Sequence, residues 1–235
     1  YATWCLCYDK WGAPNGEEGN WERKFNRNSP EIANLRKQYP DTLDFYRWLE
    51  WIAAEQLSSA QQAAKDAGMH IGIMSDMAVG VHPSGADVWW NPERFAKGAT
   101  VGAPPDMFNK QGQNWSQPPL SPINLETTGY EAYRNMVHGM FARAGAVRID
   151  HILGLFRLWW IPENRSAMDG AYVYYDSDIM LGVLAIEASR AGGVVVGEDL
   201  GVVPDHVADS LSSHGILGCA GEWFEQCDGV LEYEI

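Results

Sequence analysis

Between residues 42 and 67, apolar side chains recur at helical spacing. Phe45, Leu49, Ile52, Leu57 and Ala60 fall on one face, interrupted once by Gln56. Asp41 is placed to cap the start of this helix and Gly68 to stop it. Beyond Gly68 the pattern changes. Residues 70–79 form an apolar run that closes near Asp76, as a buried strand does. Residues 82–126 are dense in Pro, Gly, Asn and Trp and read as loop. A helix is predicted over 130–143, stopped by Gly145, and Ala146-Val147-Arg148-Ile149-Asp150 reads as the next strand. A helix over 178–190 then leads through Gly192-Gly193 to the strand Val194-Val195-Val196-Gly197-Glu198. Pro204 suits the first turn of another helix, and 217–224 suits a further strand. Ahead of residue 42, Pro14-Asn15-Gly16 and Asn28-Ser29-Pro30 are turn signals.

Alternating helices and continuously apolar strands predict an α/β protein with a parallel sheet and helices outside it. The polar residues then fall at informative places. Asp76, Asp150 and Glu198 all lie at or near the carboxyl ends of successive predicted strands. That edge is the active-site face of a β/α barrel and the ligand edge of a doubly wound open sheet. The position supports a site without choosing between the two folds.

Composition narrows the partners. The 17 basic and 31 acidic residues give a net charge of −14, which argues against nucleic acid or an anionic membrane surface as partner. A neutral substrate such as a sugar is compatible; so is a simple role in solubility. The 11 Trp and 10 Tyr point the same way, since aromatic rings stack on sugar faces, although they also fill cores. Cys5, Cys7, Cys219 and Cys227 form no Cys-x-x-Cys pair, so reduced thiols in a cytoplasmic protein are expected, with neither zinc nor a disulfide framework. No phosphate-cradling glycine motif and no metal-ligand cluster is visible, so no cofactor is expected. No apolar run reaches eighteen residues, and the first residues do not read as a signal peptide but as the middle of a longer chain.

The carboxylates carry the candidate chemistry. Arg148 and Asp150 are two apart on a strand, so both side chains share a face. A guanidinium beside a carboxylate favours its ionised form, which a glycosyl nucleophile requires. An ordinary Arg–Asp pair closing a layer of the sheet is the plain alternative. Glu198 follows 48 residues after Asp150, an interval that fits one strand–loop–helix–strand unit and puts the two strand tips side by side or nearly so. Two such carboxyls can flank one glycosidic bond; in retaining enzymes they stand roughly 5–5.5 Å apart. The three valines before Glu198 suggest an apolar setting that keeps it protonated until needed. Alternatively, Glu198-Asp199 is an acidic pair at a helix start.

These residues resemble a known family. Arg148-Ile149-Asp150-His151, followed by Leu158-Trp159-Trp160-Ile161-Pro162, resembles the fourth-strand motif of the 4-α-glucanotransferases, glycoside hydrolase family 77. The run Gly197-Glu198-Asp199-Leu200-Gly201-Val202-Val203-Pro204 resembles its fifth-strand motif, and Ser75-Asp76-Met77-Ala78-Val79-Gly80-Val81 its third. Gly102-Ala103-Pro104-Pro105-Asp106 with Gly112-Gln113-Asn114-Trp115 resembles its substrate loop. The resemblance implies the central portion of a (β/α)8 TIM barrel, about strands three to six, over residues 68–235, preceded by a helical inserted segment at 1–67. It implies Asp150 as nucleophile and Glu198 as acid and then base. Arg148 would orient Asp150, and Asp76 and His151 would sit around the cleaved bond. Asp106, Gln113 and Trp115 would line the loop that holds an α-1,4-glucan. The implied reaction is transfer of glucan segments between maltodextrins by retaining double displacement. A hydrolase on the same barrel and a non-catalytic glucan-binding fragment are the alternatives. The family's third catalytic aspartate, in a His-Asp motif, has no match here. The chain alone is therefore expected to be inactive, and to self-associate through exposed half-barrel edges.

Overall fold

The computed structural model describes residues 1–14, 20–200 and 203–219, and the backbone of 226–227 and 230–231. Four helices come first: α1 (Ala2–Trp11), α2 (Trp21–Lys24), α3 (Pro30–Gln38) and α4 (Pro40–Asp66). The strand β1 (Met74–Met77) follows, then α5 (Ala86–Trp90), β2 (Ala99–Ala103), β3 (Gln113–Gln117), α6 (Pro122–Thr127) and α7 (Glu131–Phe141). The remainder runs β4 (Ala146–Ile149), β5 (Arg157–Pro162), β6 (Ala171–Tyr174), α8 (Ser177–Ala191), β7 (Val194–Gly197) and α9 (Asp205–Ser213).

The parallel sheet has the order β1-β4-β7, each strand entering after a helix. Leu217 pairs in parallel with Val196, beside β7. Asp76, Arg148 and Val196 are in register across the three strands. Side chains alternate along a strand, so Val147 and Ile149 leave one face while Arg148 and the residue after Ile149 leave the other. The first face is the core: Val147, Ile149 and Val195 pack with Tyr133 and Val137 of α7 and Leu181 and Leu184 of α8. Each such aliphatic side chain contributes about 1.5–3 kcal/mol on full burial. The helices thus lock the polar row onto the opposite face.

A second sheet, antiparallel and ordered β3-β2-β5-β6, is built from the chain on either side of β4. Most of 82–126 was expected to be loop, yet β2, β3, α5 and α6 lie there. These strands are rich in Gly, Ala, Gln and Asn, and only Val101 and Gly102 of β2 are buried, so no apolar alternation announces them. Trp159 and Trp160 are central residues of β5.

The first helices gather around a core of their own. Trp21, almost wholly buried, donates its indole N–H to the Gly12 carbonyl and packs edge-on against Trp89. Trp89 in turn donates to the Phe25 carbonyl, so it is a packing residue of this cluster. Asp41 does not cap α4; the helix starts at Pro40, whose ring pre-sets the first turn and leaves Asp41 inside it. Pro204 sits one residue before α9 and not within it. Asp169 completes a capping box, Asp176 caps α8 and Asp178 lies in its first turn. Residues 220–224 of the expected final strand, and the Asn15-Gly16 turn, lie outside the described residues. Among the described residues no helix is long and apolar enough to cross a membrane.

Two joints hold this arrangement. Gln61 of α4 acts as a surrogate strand: its amide donates to the Ile71 carbonyl and accepts from the Ile73 N–H. On the other side, Gly145 and Ala146 donate to the Ile73 carbonyl. A methyl group on Gly145 would overlap the Ile71 carbonyl oxygen. The second joint clamps α7 to α8. Glu187, buried, has His138 Nδ1 3.0 Å from one oxygen and accepts Arg190 at 2.6 Å on the other. The His138 bond first, and then Arg190, hold its carboxyl below the usual glutamate range.

Gly145→Ala is expected to cost about 1–3 kcal/mol through overpacking against backbone. A thermal melt should show the midpoint lowered by about 2–4 °C per kcal/mol. Because the folded Glu187 pKa is depressed, its contribution is complete above the ordinary value of 4.5 and is lost as pH falls through the lowered one. Glu187→Gln should therefore destabilise at pH 7, by about 1 kcal/mol given its exposed partners, and match the parent below the folded pKa. Paired urea melts across pH 3–7 check this; a pH-independent difference would assign the loss to packing.

Candidate active site

The strand tips are tied to one another through the backbone. Asp150 N–H donates to Met77, Glu198 N–H to Ile149, and Ile152 N–H to the Glu198 carbonyl, at 2.9–3.0 Å. These bonds continue the parallel ladder past the last strand residues, which leaves Asp150 and Glu198 one residue beyond β4 and β7. Their parity puts both on the polar face with Asp76 and Arg148.

Arg148 is the hub. Its Nη1 donates to Asp76 at 2.8 Å and lies 3.5 Å from Asp150, while Nη2 is 3.8 Å from Glu198. The tightest partner is thus Asp76, on the neighbouring strand, and not Asp150 on its own. The Asp76 hydrogen bond, followed by the charges of Asp76, Glu198 and Asp150, outweighs desolvation and raises the guanidinium pKa further. Asp76 is the most exposed of the three acids and Glu198 the least, with side chains 64% and 23% accessible. Glu198 also accepts the His151 backbone N–H at 2.8 Å. Its surroundings are therefore more polar than the three valines suggested.

His151 turns the chain out of the sheet. Its φ of 50° is in the left-handed region, which costs a residue with a Cβ about 1 kcal/mol or more. The turn delivers its N–H to Glu198 and its ring to Trp115, whose centroid is 5.3 Å away edge-on. Trp115 donates to Gln113 Oε1 at 3.1 Å. Burial lowers the His151 pKa below 6.5, opposed by the Asp150 charge, so the ring is neutral at pH 7.

A cleft of about 820 Å³ opens beside this cluster. His151, Gln113, Trp115 and Asp106 line it, so the structure brings every residue singled out from the sequence either to the Arg148 hub or to the adjoining cleft. Asp106 stands apart from the hub: its carboxylate accepts the N–H groups of Phe108 and Asn109 and so shapes its own loop. Asp199 lines the cleft too, accepting the Cys219 N–H at 3.1 Å. It lies six residues before α9 and does not serve as a helix-start charge. Sequence reading passed over Arg157 and Tyr172, which line the far wall and become neighbours only through the pairing of β5 with β6. No group of three or more metal-ligating side chains is found among the described residues.

Parallel strands, outer helices and acids clustered at the carboxyl edge define an α/β protein with a carboxylate-bearing cleft. The family model described as 4-alpha-glucanotransferase matches residues 1–234, and the chain belongs to that family, glycoside hydrolase family 77. A 4-alpha-glucanotransferase of Mycobacterium tuberculosis is 48% identical over 227 residues, covering 96% of this chain and 31% of the relative. One from Haemophilus influenzae is 42% identical over 210 residues, covering 89% and 30%. The chain thus spans about a third of the length of these relatives. Amylomaltase from Corynebacterium glutamicum superposes with a TM-score of 0.80 at 43% identity, over 98% of this chain and 30% of that one. Amylomaltase from Streptococcus agalactiae, solved with acarbose, shares the fold at a TM-score of 0.81 and 19% identity, over 92% and 44%.

The His151 ring should titrate with a midpoint below 6.5 when followed by NMR of labelled histidine. Asp150→Asn removes the charge that opposes burial and should lower the midpoint further. A midpoint at or above 6.5, or an upward move in the variant, would contradict the buried, Asp150-facing ring. Since the folded value is depressed, stability from the neutral ring is complete above 6.5 and declines as pH falls through it.

Proposed function

We propose that the protein carrying this chain is a 4-α-glucanotransferase that moves α-1,4-glucan segments between maltodextrins with retention of configuration. The observation that carries the reading is the convergence of Asp150 and Glu198 on one guanidinium at adjoining strand tips. In the proposed mechanism the Asp150 carboxylate attacks the anomeric carbon, and the bond to the leaving sugar oxygen breaks as Glu198 delivers its proton there. A glucosyl–Asp150 ester forms. Glu198, now ionised, takes the proton from an incoming sugar hydroxyl, whose oxygen displaces Asp150. Arg148 aims Asp150, with Asp76 fixing Arg148 from the other side. A neutral His151 can accept or donate a hydrogen bond to a sugar hydroxyl without adding charge. Asp106, Gln113 and Trp115 line the path of the glucan, Asp106 by holding the loop in shape.

The same reading treats β1, β4 and β7 as consecutive strands of a (β/α)8 barrel with Leu217 opening the next. Their parallel order and the Leu217–Val196 bridge support it. Residues 1–67 form the helical inserted segment in this scheme, extended by Trp89 into a shared core. A cytoplasmic setting accords with the free, buried Cys5 and Cys7; burial pushes the Cys7 thiol up to about 12. The acarbose complex of the Streptococcus agalactiae relative supports a glucan-type ligand.

The test is incubation with maltotriose of the protein that carries this sequence, with all products separated by chromatography. Glucose together with a ladder of longer maltodextrins is expected. Asp150→Asn and Glu198→Gln should each lower the rate by about 10²–10⁴-fold or more. Maltose and glucose alone would make the protein a hydrolase. Binding without products would leave only a glucan-binding role.

A further inference from the structure

Among the described residues, Arg157 is the basic side chain that lines the cleft, and it has no carboxylate within salt-bridge distance and no side-chain hydrogen bond. The two acids in that wall are already committed: Asp106 to the N–H groups of its loop, Asp199 to Cys219. An unpaired guanidinium would ordinarily swing into solvent, where it keeps its rotamer freedom. Here it is held. In the β5–β6 pair Arg157 lies opposite Tyr174 and Trp159 opposite Tyr172, so all four side chains leave one face and Arg157 is diagonal to Tyr172. The guanidinium carbon sits 4.0 Å from the Tyr172 ring centroid, and Trp159 packs edge-on against the same ring at 5.0 Å. Trp159 is fixed in turn by donating its indole N–H to the Ala167 carbonyl. The opposite face of the ribbon, with Leu158 and Trp160, is pressed into the core and sets the register.

A guanidinium held over an aromatic ring still carries five N–H donors in a planar fork. Vicinal sugar hydroxyls present paired acceptor oxygens to which such a fork can donate. An anionic ligand is disfavoured, because Asp106 and Asp199 offset the single positive charge in the same cleft lining. We infer that Arg157, held over the Tyr172 ring, is a binding residue for a glucose unit of the glucan remote from the bond being cleaved. This rests on the glucanotransferase reading. His151 lines the same cleft and its backbone N–H meets Glu198 of the Arg148 hub, so one chain of sugar can reach both.

The experiment compares wild type, Arg157→Ala, Arg157→Lys and Tyr172→Phe in the protein that carries this sequence, using maltotriose and maltohexaose as substrates and maltohexaose as calorimetric ligand. Removing the charged donor is expected to raise KM and Kd for maltohexaose about ten-fold, with a smaller effect on maltotriose. Lysine should recover little of the loss because it lacks the planar fork, and Tyr172→Phe, which keeps the ring but loses a cleft-lining hydroxyl, should weaken maltohexaose less than Arg157→Ala does. Near-ultraviolet circular dichroism of each variant confirms the fold. Equal maltohexaose affinity in wild type and Arg157→Ala overturns the inference while wild-type transfer leaves the function standing. A loss in kcat equal for both lengths also overturns it, assigning Arg157 to positioning of the hub. Wild-type binding without transfer, with Arg157→Ala weakened, upholds the inference and sinks the reaction. Failure of the wild type to bind any maltodextrin sinks both.

Discussion

Everything at the sheet edge depends on one cation. Asp76, Asp150 and Glu198 come from three adjacent strands, and the Arg148 guanidinium reaches all of them, at 2.8, 3.5 and 3.8 Å. Two like charges 4 Å apart repel by about 1 kcal/mol in bulk water and about 4 kcal/mol at the effective dielectric near a protein surface. Three carboxylates gathered without a cation would push the strand tips apart. With Arg148 present, repulsion becomes a constraint on register: one residue of slip in either outer strand would turn its acid to the helix face, among Val147, Ile149 and Leu184. The polar cluster and the apolar core therefore specify the same register from opposite sides of β4. The backbone bonds beyond the strand ends then bring Asp150 and Glu198 to fixed positions, which a site on mobile loops could not do.

This explains which parts could be read from the chain. β4 and β7 are short apolar runs, and α7 and α8 place Tyr133, Val137, Leu181 and Leu184 at helical spacing. Both signals come from the demand for burial and survive in sequence. Residues Asp76, Arg148, Asp150 and Glu198 were legible because polar residues at the ends of apolar strands have no packing reason to be there. The antiparallel sheet was not legible. Its strands face the cleft on one side, and β2 needs Gly102 because a methyl there would overlap the Gln113 carbonyl oxygen and strike Ile161. Small and polar residues chosen for close backbone approach read as loop. The hub itself was read one partner off: spacing along β4 pointed to Arg148–Asp150, whereas cross-strand register makes Asp76 the closer ligand.

The same distinction separates Arg157 from Arg148. Arg148 announces itself two residues before an acid on its own strand. Arg157 gains its setting from Tyr172, fifteen positions away, and only after β5 and β6 pair in one register of several possible. Long-range geometry of this kind is invisible to spacing arguments, since the intervening turn carries no chemistry. It also accounts for Trp159: an aromatic-rich run reads equally as core filling or sugar stacking, while in the fold Trp159 lines the cleft and braces the tyrosine beneath the guanidinium.

The two sheets then divide the work by rigidity. The parallel sheet, buried under helices on one face, has little freedom to move, and it carries the acids whose separation decides the chemistry. The antiparallel ribbon carries donors and rings that can tolerate small shifts, and it meets the rigid part chiefly at His151, through Trp115 and the turn at positive φ. A strained residue persists only where its surroundings over-determine it. Here the backbone N–H is claimed by Glu198 and the ring by Trp115, and the two contacts together keep the turn from relaxing. A sugar that displaces Trp115 from the imidazole would thus be felt at Glu198 through one residue's backbone. That couples occupancy of the cleft to the orientation of the acid without requiring any movement of the parallel strands.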